Sequence, residues 1–189
     1  MDVGFIIGNT DGDSSSAPAF NVLSAVNNIV KRFNVGTKAV LPGVITYGKT
    51  ADVTISLNSV FSKVDLVRRI SDIKLPPKGD NINDALRKVS SELFNPRNGA
   101  RPDASKTVYL FVGNEAKSLD IKRELQALRV NNVKVVTIYY GDQDDNNDDI
   151  KDATSPSDVW FFPDDLDELI RGIQPVVTSA LTGMCFLYQ

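Results

Sequence analysis

Short apolar runs alternate with segments of helical periodicity along almost the whole chain, and this order constrains the fold more than any other feature. Val3–Ile7 (VGFII), closed by Gly8-Asn9, predicts a buried strand. Ser16 and Pro18 signal a helix start, and Phe20, Leu23, Val26, Val30 and Phe33 follow at helical spacing. The next apolar run is Val40–Tyr47; Pro42 cannot donate a ladder hydrogen bond, so the regular strand is expected from Gly43. Val53, Ile55 and Leu57 alternate as in a half-exposed edge strand. Ser62-x-x-Asp65 resembles a capping box and predicts a helix to about Ile73.

Ile82, Leu86, Val89 and Leu93 mark another helix, and Thr107–Val112 another buried strand. Ser118 is expected to cap a helix carrying Ile121, Leu125 and Leu128. Val133–Tyr140 and Val159–Phe162 read as strands, with a short helix over Asp148–Ala153 between them. A last helix is expected from Asp164, with Leu166, Leu169, Ile170 and Ile173 inward, until Pro175 ends or kinks it. Strands apolar on both faces call for a mostly parallel sheet with helices on both sides. The fold class is therefore α/β, a three-layer sandwich, with one domain over residues 1–189. Phe5, Ile7, Val44, Ile45, Leu110, Val112, Val135 and Ile138 are the expected core.

Composition narrows the chemistry. Hydrophobic residues are 42% and charged residues 24% of 189, an ordinary globular balance. There is no histidine, which excludes Ser-His-Asp and Cys-His catalysis, histidine-ligated zinc and histidine pH switching. A single cysteine, Cys185, excludes CxxC pairs and an internal disulfide; it reads as a free thiol or as half of a bridge to a partner outside this segment. The net charge of −3 opposes a large nucleic-acid footprint, and no run approaches a membrane span. No GxGxxG or GxxxxGK[ST] loop follows the first strand, and there is no GxSxG elbow.

In such a sheet, sites form in loops at the carboxyl ends of the strands. The loops Gly8–Ser16, Lys78–Asn83, Gly113–Leu119 and Gly141–Asn147, with the following Asp148-Asp149, hold nine of the 24 acids: Asp11, Asp13, Asp80, Glu115, Asp142, Asp144, Asp145, Asp148 and Asp149. They hold two lysines, Lys78 and Lys117, and no arginine. One end of the domain is therefore expected to be negative, either as a solvated rim or as a site for a cation or a basic partner.

Asp2–Ile7 (DVGFII), Phe20, Gly43–Gly48 (GVITYG), Gly79–Leu86 (GDNINDAL), Gly99 and Arg101, Lys106–Val112, Lys117–Asp120 (KSLD) and Val133–Tyr140 occur in an order that resembles a von Willebrand factor type A domain of the matrix and adhesion kind. The resemblance covers nearly the whole chain. It implies a Rossmann-like sheet with one antiparallel edge strand at Val53–Leu57. It implies a protein-binding module and not an enzyme, without a catalytic residue or cofactor. Collagen or another matrix protein is the implied class of partner, the location is extracellular, and the domain belongs to a longer multidomain chain. Nucleic acid and membrane insertion are not expected.

Adhesive members of that family carry a metal-ion-dependent adhesion site, with a D-x-S-x-S loop after the first strand, a threonine in a later loop and an aspartate after the central strand. Two registers are open here. Counted from the strand start, Gly8, Thr10 and Gly12 fall on the D-x-S-x-S positions, Asp80 on the threonine and Gly113 on the second aspartate. No metal is then expected, because a hard cation needs oxygen ligands that glycine side chains do not supply. Counted back from Phe20 and from Lys117–Asp120, Asp11, Asp13, Ser15 and Glu115 approach those positions and, with Asp80, would rebuild an acidic site. The favoured reading is a metal-independent adhesion or matrix-assembly module. The alternatives are metal-dependent adhesion through the rebuilt site, or an intracellular A-type scaffold domain.

Overall fold

The computed structural model describes residues 1–8, 17–77, 79–113, 121–140 and 159–162, the backbone alone at 17–21, 139–140 and 159–162. Six strands form one sheet: β1 (Asp2–Gly8), β2 (Leu41–Tyr47), β3 (Ala51–Ile55), β4 (Lys106–Val112), β5 (Val133–Tyr140) and β6 (Val159–Phe162). Their order is β3-β2-β1-β4-β5-β6. All neighbours are parallel except β2 and β3. Gly48–Thr50 is too short for a crossover, so the chain folds back and β3 becomes the antiparallel edge. A one-residue shift between Val44 and Ile45 bulges this edge, which blunts it as a template for further pairing.

Two hydrophobic layers cover the two faces. Helices α1 (Ala17–Lys31) and α2 (Lys63–Ser71) bury Val26, Val30, Leu66 and Ile70 against Val3, Phe5, Ile7, Tyr109, Phe111 and Ile138. Helices α3 (Ile82–Lys88) and α4 (Lys122–Val130) bury Ile82, Leu86, Leu125 and Leu128 against Ile6, Ile45, Val108, Leu110 and Val112. The period of two in each strand divides its residues between the layers. All eight expected core residues are buried.

Several local expectations are corrected. β2 begins at Leu41 and contains Pro42. The Leu41 amide donates to Met1 O, so the nitrogen of residue 42 faces away from β1, where the β3 ladder reaches only to Val44. No ladder bond is therefore lost. Ser62 is the N-cap residue of α2, but its side chain makes no capping bond, and Asp65 turns instead to Arg68 and Arg69. The edge strand ends at Ile55, two residues before Leu57. α4 starts at Lys122 with Ile121 at the N-cap, while Ser118 lies outside the described residues. Val89–Leu93 continues α3 as a π-helical turn. This turn sets the two methyls of Leu93 over the register partners Gly4 and Gly43, where a Cβ would come within 2.7 and 2.6 Å of them. The expected helices at 148–153 and from Asp164, with Pro175 and Cys185, lie outside the described residues.

Candidate functional site

The strand order reverses direction between β1 and β4, which makes the carboxyl ends of these two strands the topological switch point where open α/β sheets bind ligands. Gly8 ends β1 and Gly113 follows β4. Both are the positions where the first register places metal-ligating aspartates.

The space beside Gly8 is taken by a side chain of β2. Tyr47 ends β2 as the register partner of Gly8 and is fully buried. Its ring crosses β1, and its hydroxyl donates to the carbonyl of Phe111 in β4 at 3.2 Å. A Cβ built on Gly8 would fall against this ring, 2.5 Å from Cε2 and 2.7 Å from Cε1. Such distances do not occur between real atoms, so a side chain at position 8 would have to displace the phenol of Tyr47.

The third part of the site is the segment from Gly79 to Asp84. A Cβ on Gly79 would meet the backbone of Gly48 and Lys49, so these segments touch main chain to main chain. The Asn81 amide donates to Gly48 O at 3.1 Å, and Asn81 Nδ2 donates to Lys49 O at 3.1 Å. Asn81 Oδ1 accepts from the Asp84 amide at 3.2 Å, capping α3. Asp84 Oδ2 accepts from the Ala51 amide at 3.0 Å. This clamp fixes the β2–β3 turn to the start of α3 and leaves the side chain of Asp80 exposed. Among the described residues Asp80 has no ion-pair partner within 4.0 Å.

The fit to the family's cation fails in the first register. Of its described positions, Gly8 and Gly113 bring no side-chain oxygen and Asp80 brings one carboxylate. Among the described residues no three His, Cys, Asp or Glu are grouped so as to hold a metal ion. Thr10 and Gly12, and from the second register Asp11, Asp13, Ser15 and Glu115, lie outside the described residues, as do Asp142, Asp144, Asp145, Asp148, Asp149, Lys78 and Lys117. Sequence reasoning missed Tyr47 and Asn81. The signal for Tyr47 was an aromatic at a strand end opposite a glycine, which is readable only once the β1–β2 register is known.

An open six-stranded α/β sheet with one antiparallel edge and a switch point between β1 and β4 defines a Rossmann-like fold. Residues 2–175 match the von Willebrand factor type A domain, and the chain belongs to that family. Among solved structures it is similar to proximal thread matrix protein 1 of the mussel byssus, crystallised with a zinc-occupied MIDAS motif, at 23% identity and a TM-score of 0.78. That match covers 95% of this chain and 45% of the mussel chain, so this chain spans less than half the length of that relative. It is also similar to the manganese-loaded TRAP protein of Plasmodium vivax, at 18% identity and a TM-score of 0.68, covering 93% of this chain and 72% of that one. A third similar structure is the conserved hypothetical protein BatB of Bacteroides thetaiotaomicron, at 9% identity and a TM-score of 0.69, covering 95% and 98%.

Proposed function

We propose that this chain is a non-catalytic, protein-binding A-type domain of adhesion or extracellular matrix assembly, and that it binds its partner without the family's metal ion. The observation that carries the reading is the ring of Tyr47 in the volume a ligand side chain on Gly8 would need. Beside the position on which the first register puts a metal-ligating aspartate, this chain has a buried phenol bonded to Phe111 O, and on the threonine position it has an exposed carboxylate, Asp80. A partner on this face then meets the exposed carboxylate of Asp80 directly.

The same reading takes residues 1–189 as one A-type domain within a longer extracellular chain. The 45% coverage of a byssal thread matrix protein is in keeping with that setting. Collagen and other matrix proteins are the first partners to test. In a solid-phase assay against a panel of matrix proteins, binding should be equal in magnesium and in chelator, and should weaken in Asp80→Lys. Binding that requires magnesium or manganese would overturn the reading in favour of the site rebuilt from Asp11, Asp13, Ser15, Asp80 and Glu115.

A further inference from the structure

The end of the sheet opposite the candidate site, around the amino ends of the parallel strands, carries a corner of cations. α1 ends there with Lys31, Arg32 follows it, and the turn that leads into β2 carries Lys38. α2 starts beside them with Lys63, whose Nζ donates to Lys31 O at 3.0 Å. None of these four has a carboxylate within 4.0 Å among the described residues. Of the described acids toward this end, Asp2 is held by Arg101, Asp65 by Arg68 and Arg69, and Glu92 by Lys88. Asp103, exposed in the loop before β4, has no ion pair among the described residues and offsets one of the four cations. Asp72 lies at the other end of α2. The corner therefore stays positive after the free acid is counted.

The turn that presents Lys38 is held from below. The Gly36 amide donates to Val40 O at 3.1 Å, and the Ala39 amide to Gly36 O at 2.9 Å. Arg101, seated on the buried Asp2, donates to Thr37 O at 3.0 Å and Ala39 O at 2.9 Å, the carbonyls on either side of Lys38. A buried ion pair thus fixes the backbone under an exposed lysine that has no carboxylate of its own. The dipole of α1 accounts for cations at its carboxyl end, Lys31 and the tied Lys63, but not for Lys38, which lies beyond the helix. A backbone already fixed also loses little freedom when an anion binds. We propose that this corner docks a sulfated polysaccharide, whose repeated sulfates meet cations on three separate segments at once. The planar fork of Arg32 suits an oxyanion. A net charge of −3 opposes the large footprint of a nucleic acid. The choice of polysaccharide among polyanions rests on the extracellular reading above; the corner itself involves neither Tyr47 nor Asp80.

Binding of the whole chain to immobilised heparin over a range of salt concentrations tests it. The affinity should fall linearly on a log–log plot against salt, as counterion release requires. Lys31→Gln/Arg32→Gln/Lys38→Gln should weaken binding at least about tenfold and flatten that slope, each exposed pair counting a few-fold. These three side chains make no ion pair among the described residues, so circular dichroism and the melt should be unchanged. Asp103→Asn should tighten binding. Asp80→Asn, at the far end of strands about 23 Å long, should leave it unchanged at physiological salt, where the Debye length is about 8 Å. Loss of matrix-protein binding in Asp80→Asn with heparin binding kept would separate the two surfaces. A chain that ignores heparin at low salt, heparin binding unmoved by the triple variant, or Asp80→Asn acting as strongly as Asp103→Asn would overturn the proposal. So would unsulfated hyaluronan or duplex DNA bound as tightly as heparin.

Discussion

Gly8 and Tyr47 are register partners at the carboxyl ends of β1 and β2, and the ring of Tyr47 stands where a side chain on Gly8 would stand. The backbone of Gly8 needs no left-handed conformation, so the constraint on this position is steric. Gly8→Ala should displace the ring, strain the bond to Phe111 O and cost about 1–3 kcal/mol, as overpacking does. In a Tyr47→Ala background the same substitution should cost far less, because residues in contact couple. Equal costs in both backgrounds, read from denaturant unfolding, would place the ring elsewhere.

Leu93 owes its position to a π turn and its neighbours to two glycines. Leu93→Ala should cost about 2–5 kcal/mol, the range for emptying a buried leucine site. Gly43→Ala should also destabilise, since its Cβ would press on Leu93 and on the carbonyl of Ile55. Thermal melts would check both. A neutral Gly43→Ala would show that Leu93 can move aside.

Asp2 is fully buried and depends on Arg101. The guanidinium contacts Asp2 at 2.7 Å and donates to the carbonyls of Met1, Thr37 and Ala39. The Arg101 amide donates to Asp2 as well. Arg101→Ala strands a buried carboxylate and should cost about 3–5 kcal/mol. Lysine should rescue little of it, having a point charge in place of a fork. A loss under about 1 kcal/mol in urea unfolding would contradict this, being the range of an exposed pair.

Tyr109 carries a buried hydroxyl without a hydrogen-bond partner among the described residues, stacked on Phe5 at 5.4 Å. Burial pushes its phenol up to about 12 from an ordinary 10.0. The folded chain therefore holds the neutral form more firmly than the unfolded chain. This contribution is fully present below pH 10 and is lost as pH rises toward about 12. Tyr109→Phe should remove that part of the alkaline destabilisation and be neutral or stabilising at pH 7, since no bond is lost. Melts from pH 7 to 11 on both proteins decide it, and parallel pH profiles would count against the burial.

What was legible in the sequence followed from periodicity. The runs at Val3, Gly43, Thr107, Val133 and Val159 are strands of one sheet, because residues apolar on both faces have to be covered twice. The edge role of β3 was legible from alternation and a short connection. Less visible were features set by contacts between distant segments. Pro42 enters β2 because its nitrogen faces past the end of a ladder, and Ser62 leaves its cap unmade while Asp65 serves two arginines. At the candidate site, the sequence already showed that Gly8 and Gly113, the aspartate positions of the first register, bring no side-chain oxygen. The seating of Tyr47 between Gly8 and Phe111 was not legible, since it joins residues 39 and 64 positions apart through a register that periodicity does not set.

Calorimetry with magnesium and manganese tests most directly whether the face around Tyr47 and Asp80 works without a metal ion, as proposed. One carboxylate does not strip enough water from magnesium to make a tight site. At low salt the acidic end should take up cations weakly and without saturation, and this uptake should fade at physiological ionic strength, where the Debye length is about 8 Å. A saturable one-to-one site that persists at physiological salt and disappears in Asp80→Ala or Asp11→Ala would contradict the account.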